Sequence, residues 1–114
     1  MKASPERNGK ERKTMDVNVQ KDGTKLTIAA VGRLGTTSAP QLEKALKSNI
    51  DDVTELVFDF AGVEYMASAG LRVLLSAAKV MRRQGNMKII NVTEPVMDVL
   101  VFTGMANALN IQPA

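Results

Sequence analysis

A chain of 114 residues, 45% hydrophobic and 24% charged, is long enough for one domain around one core. It has neither Cys nor His, which excludes disulfides, thiolate metal sites and any catalysis that needs an imidazole base. No apolar run approaches the ~20 residues of a membrane-spanning helix, and the formal net charge of +3 is confined to the first residues of the chain.

Lys2, Arg7, Lys10, Arg12 and Lys13 stand against Glu6 and Glu11 in that leading stretch. Residues 1–14 are therefore expected to form a basic, disordered N-terminal extension ahead of one domain over residues 15–114. From Met15 onward ten basic and ten acidic residues cancel, so the body gives no electrostatic case for nucleic acid. With no Trp, one Tyr and three Phe, it also lacks a stacking platform for single strands.

Val17 and Val19 alternate with Asp16, Asn18 and Gln20, the pattern of a short strand with one buried face. Asp22-Gly23 marks a tight hairpin turn, and Leu26, Ile28 and Ala30 carry the second strand. After the turn-rich stretch from Gly32 to Ser38, Ser38 and Gln41 have the spacing of a capping box, with Pro40 in the first turn. Leu42, Ala45, Leu46 and Ile50 predict a helix over roughly 39–49, and Glu43 and Lys47 form an exposed i, i+4 pair.

The run from Glu55 to Phe60 predicts a central strand buried on both faces, followed by a loop from Ala61 to Met66. Leu71, Leu74, Leu75 and Ala78 then fall on one face of a second helix, which Ser68 would cap. Arg82 and Arg83 suit the negative end of its dipole, and Gly85 stands where a left-handed residue ends a helix. Met87–Ile90 is a further strand, parallel to the previous one through a right-handed crossover. Thr93 and Pro95 open a third helix with Val96, Val99 and Leu100 on its apolar face, and Gly104 closes it. Ala108–Ile111 adds an edge strand. The fold class is α/β: a mixed sheet of four or five strands with three or more helices packed mainly on one face.

Ser68 is the residue on which function turns. Its hydroxyl either caps the second helix or accepts a phosphate, which the first-turn N–H groups and the positive dipole end would stabilise. A nucleophilic role fails, because Met66-Ala67-Ser68-Ala69-Gly70 lacks the first glycine of a nucleophile elbow and no His is present to act as base. Asp51, Asp52, Asp59 and Glu64 lie on different elements without ligand spacing and read as surface or loop carboxylates. No cofactor and no metal are expected. Met66, beside Ser68, is expected to be exposed for a partner.

Two segments carry a family resemblance. Phe58-Asp59-Phe60 through Leu75, with Tyr65-Met66-Ala67-Ser68-Ala69-Gly70-Leu71 at its centre, resembles the signature of STAS-domain anti-sigma factor antagonists. Gly32-Arg33-Leu34-Gly35-Thr36-Thr37-Ser38-Ala39-Pro40 resembles that family's upstream landmark, and the likeness spans Met15–Pro113. The resemblance implies a STAS-like domain that is not an enzyme. Such a protein binds an anti-sigma factor, itself a serine kinase, and thereby releases sigma factor. It is switched off by phosphorylation at Ser68 and restored by a phosphatase. The same resemblance implies partner contacts at Met66, Ala67, Ser68, Ala69, Gly70, Gly35 and Thr36. It also implies a cytoplasmic bacterial protein, monomeric or weakly dimeric, without nucleic acid or membrane insertion. Ala67 and Gly35 stand where many members have Asp. The family also holds accessory and scaffold subunits of transporters and stress-signalling complexes, which is the alternative function.

Overall fold

A computed structural model describes residues 15–113. The expected extension over residues 1–14 lies outside the described residues. Strand β1 (Met15–Asp22) turns back through Gly23 and Thr24 into β2 (Lys25–Leu34), with Asp22 opposite Lys25. Gly23 has φ +63°, the positive value that a two-residue hairpin turn requires and that glycine adopts without strain. Helix α1 (Ala39–Lys47), strand β3 (Glu55–Met66), helix α2 (Ser68–Gln84) and strand β4 (Asn86–Val92) follow. Helix α3 (Glu94–Phe102), a single turn α4 (Met105–Ala108) and a short strand β5 (Ile111–Pro113) complete the described chain. Helix α4 has no signal in the sequence pattern, and it displaces the last strand toward the C-terminus of the stretch expected for it.

The five strands lie in chain order, β1-β2-β3-β4-β5. The first pair is antiparallel, and the β2–β3, β3–β4 and β4–β5 pairs are parallel. Alternation puts Leu26, Ile28 and Ala30 of β2 and Leu56, Phe58 and Phe60 of β3 on one face, all of them shut off from solvent. Phe58 and Phe60 pack with tilted rings 5.7 Å apart. The buried residues of α1, α2 and α3 join the same core, so the helices share that face. Val57, pointing to the other face, is nearly as buried. Val19 is exposed, so the buried face of β1 rests on Met15 and the half-buried Val17.

Strand β3 is twice the expected length, because the segment from Ala61 to Met66 pairs with β2 instead of looping out. The register runs Ala29↔Asp59, Val31↔Gly62, Gly32↔Val63 and Arg33↔Tyr65, so β3 takes one extra residue at each of two bulges. Gly62 lets the strands close at the first of these: a Cβ there would lie 2.8 Å from Val31 Cγ2. The bulges change which residues point inward, and Val63 and Met66 join the core.

Three expected caps are built differently. Ser38 is buried with helical backbone angles, and its hydroxyl accepts the Gly35 N–H at 2.8 Å and donates to the Arg33 carbonyl at 2.6 Å. It ties the loop to β2 rather than forming a capping box, and Gln41 Nε2 donates to the Met15 carbonyl instead. Thr93 precedes α3 as expected, but its hydroxyl donates to the Val63 carbonyl of β3 at 2.6 Å. Gly85 is extended, with φ 169°, not left-handed. The Glu43–Lys47 pair forms as expected, at 3.3 Å.

Lys21 of β1 pairs with Asp52 in the turn before β3. The hydrogen bond from the Lys21 ammonium holds the Asp52 carboxyl below its ordinary value of 3.8. A carboxylate whose pKa falls on folding stabilises the fold above its unfolded pKa and loses that contribution as pH drops through the folded value. Asp52→Asn is therefore expected to be slightly less stable than the wild type at neutral pH and equal to it once both are titrated well below pH ~3.8. Urea unfolding across that range reads the difference, and a gap that persists in acid contradicts the assignment.

Candidate functional site

Parallel pairing of β2 and β3 brings their carboxyl ends side by side, with Leu34 opposite Met66. Ligand and partner sites of open α/β sheets gather at this edge. Here the loop after β2 (Gly35 to Ser38) meets the start of α2. The Ala67 N–H still donates to the Leu34 carbonyl at 2.9 Å, extending the pairing by one residue. The Ala67 carbonyl then accepts from Gly70 at 2.9 Å and begins the helix. A Cβ on Gly70 would lie 2.7 Å from Leu34 Cγ and 3.0 Å from Met66 Cγ, so glycine lets α2 sit down on both strand ends.

Ser68 is one residue further into the helix than a cap. Ala67, with φ −101° and ψ 173°, is the N-cap, and alanine has no oxygen to offer the first turn. Ser68 is the first helical residue and is exposed. Among the described residues its hydroxyl makes no hydrogen bond. Its own N–H and that of Ala69 have no carbonyl one turn back within the helix. The site thus shows a free serine oxygen, two first-turn amides and the positive end of a 17-residue helix.

The remaining expected contact residues divide into two groups. Thr36 is exposed, and Gly35, Ala67 and Ala69 are partly so. Gly70 is buried, and Met66, expected at the surface, is 2% exposed because the second bulge turns it inward. Tyr65 is the exposed member of that pair, at 42%. The Arg33 guanidinium stacks over its ring at 4.3 Å, the geometry of a cation–π contact. Arg33, Gly35, Thr36, Tyr65 and Ala67 line a shallow pocket of about 230 Å³ there. The Arg33–Tyr65 pair escaped the sequence reading, since no local spacing joins residues brought together only by strand register. Of the carboxylates, Asp59 accepts from the Ala61 N–H at 3.1 Å and from Asn91 Nδ2 at 3.2 Å, a brace between β3 and β4 away from Ser68.

The STAS domain family matches residues 16–114, nearly all of the chain. The chain belongs to the STAS domain family. BtrV of Bordetella bronchiseptica is 30% identical over 92 residues, which cover 79% of each chain. The anti-sigma-B factor antagonist of Bacillus subtilis is 26% identical over 98 residues, covering 85% of this chain and 90% of its own. The crystal structure of an anti-sigma factor antagonist from Mycobacterium paratuberculosis superposes with a TM-score of 0.79 at 20% identity, over 88% of this chain and 86% of that one. That likeness is one of fold. The STAS architecture accounts for the sheet order and for the placing of the β3–α2 junction at its edge. No helix among the described residues is long and apolar enough to cross a membrane.

Proposed function

We propose that this STAS domain is an anti-sigma factor antagonist. It binds an anti-sigma factor that is a serine kinase, frees sigma factor, and is switched off by phosphorylation at Ser68. The observation that carries the reading is the unbonded, exposed Ser68 hydroxyl at the first turn of α2. The relatives named as antagonists supply the class of partner. In this reading the kinase supplies the phosphoryl group and the machinery to move it, and Ser68 the accepting oxygen. First-turn amides and the helix dipole stabilise the added dianion, so modification is compatible with the fold. Its roughly −1.5 to −2 charges oppose a partner docked over the small residues Ala67 and Ala69. A phosphatase would restore the surface, and the cycle belongs in the cytoplasm, where sigma factors act.

The test is incubation with a purified anti-sigma kinase and ATP, followed by intact mass and peptide mapping. One phosphate on the wild type and none on Ser68→Ala is the expected result. Equal modification of both proteins sinks the assignment of Ser68. Tight binding without modification makes the domain a constitutive component instead.

A further inference from the structure

Helix α2 carries a second pattern on the side away from the sheet. Its buried stripe runs through Leu71, Val73, Leu74, Ala77 and Met81, while Leu75, expected in the core, faces solvent. On the outer side Ser68, Arg72, Leu75, Lys79 and Arg82 follow at steps of four, three, four and three residues. That alternation lines them up along one face of the helix. The helix contains Arg72, Lys79, Arg82 and Arg83 and not one acidic residue. Among the described residues none of these cations has an ion-pair partner: Glu43, across the groove from Arg72, pairs with Lys47. Placement near the helix C-terminus explains Arg82 and Arg83. It does not explain Arg72 and Lys79.

Beside the stripe runs a groove of about 410 Å³, lined by Arg72, Leu75, Ser76, Lys79, Arg82 and the side of Leu109. Leu75 and Leu109 give the groove apolar side chains, and Arg72, Lys79 and Arg82 give it cationic ones. We infer that this face of α2 is a docking surface for an acidic amphipathic helix of the partner, with Glu or Asp side chains along Arg72, Lys79 and Arg82 and an apolar side chain against Leu75 and Leu109. The inference rests on the proposed function for the partner's identity, but the surface is defined by its charge and spacing alone. Nucleic acid fits less well, because the body outside α2 carries ten acidic residues against six basic ones and no aromatic side chain lies on the stripe. Gly35 fits the same picture: the upstream loop adds no negative charge that would repel an acidic partner.

The experiment is an amide NMR titration of the full chain with a synthetic helical peptide carrying Glu and Leu at alternating steps of three and four. The same peptide with Glu replaced by Lys and a short DNA duplex serve as competitors. Saturable shifts along Arg72–Arg82 with the acidic peptide alone, weakening as salt rises, are expected. Lys79→Glu with Arg82→Glu is expected to weaken binding about tenfold or more, and Lys44→Glu on the exposed side of α1 to leave it unchanged. The absence of shifts on α2, stronger binding of the duplex, or an unaffected double variant each overturn the surface. Assaying the wild-type chain for both phosphate uptake and peptide-induced shifts separates the two readings. A chain that binds the peptide but takes no phosphate loses the switch and keeps the surface. A chain phosphorylated at Ser68 that shows no shifts loses the surface alone.

Discussion

Gly85→Ala is expected to destabilise the domain by about 3 kcal/mol, the upper end of the usual range for overpacking. The cause is a collision and not a backbone angle. With φ 169° the residue is extended, a conformation open to any amino acid. A Cβ, however, would lie 1.9 Å from the Thr54 carbonyl oxygen and 2.6 Å from its carbon. These are backbone atoms with nowhere to go. Thr54 O accepts the Asn86 N–H at 2.9 Å, and Thr54 N–H donates to the Thr24 carbonyl at 2.8 Å. Making room would separate β3 from β4 where their pairing begins, at Glu55 and Asn86. Urea unfolding gives the measurement, with Gly35→Ala as the comparison. There the nearest atom is Tyr65 Cε2 at 3.8 Å, ordinary contact, and a change within about 0.5 kcal/mol is expected. A Gly85→Ala midpoint equal to the wild type would show that the strands open without cost.

Ser68→Asp should move stability and binding in opposite directions. A carboxylate at the first helical position faces the positive end of α2, which adds about 0.3–1 kcal/mol to the fold. The same charge, at the centre of the proposed kinase interface, is expected to lower affinity for the anti-sigma partner about 100-fold. Thermal unfolding and calorimetric titration on one preparation read both. Ser68→Ala is expected to bind as the wild type does and to be indifferent to ATP. If Ser68→Asp keeps wild-type affinity, phosphate at this position does not break the complex. If it loses both stability and affinity, the effect is damage to the helix rather than a switch.

Much of the scaffold is legible in local pattern. Asp22-Gly23 announces the hairpin, and the apolar runs at Leu56–Phe58 and Ile89–Ile90 announce the parallel pair joined by α2. Those signals are written in consecutive residues. The departures lie where distant segments decide. Nothing near Ala61–Met66 says that β2 will pair with it, and Gly62 suggests a loop until Val31 is seen against it. Two bulges then turn Met66 inward and Tyr65 outward. Ser68 looked like a cap because serine favours that position, yet the strand runs to Met66 and leaves the cap to Ala67. Leu75 fitted one reading of the helical period. The face that meets the sheet is set instead by Gly70 against Leu34 and by the line from Leu71 to Met81. The site itself was half legible. The Ser68 loop and the Gly35–Thr36 loop are readable as segments, but their meeting, and the Arg33–Tyr65 stack that joins them, depend on strand register.

Helix α2 is fastened at both ends. Gly70 seats its start on Leu34 and Met66, while Gln84 Nε2 donates to the carbonyls of Ile50 and Val53 at 2.8 and 2.6 Å at its finish. Its outward residues take no part in that fastening. The proposed docking surface and the residues that keep the domain folded therefore sit on opposite sides of one rod and can diverge independently. A cell that runs several such switches at once must keep each from answering another's partner, and mismatched charge is an effective means of rejection. On the proposed surface, exchanging one exposed cation for an anion at Arg72, Lys79 or Arg82 would reject an acidic partner while leaving the sheet, core and helix seats as they are.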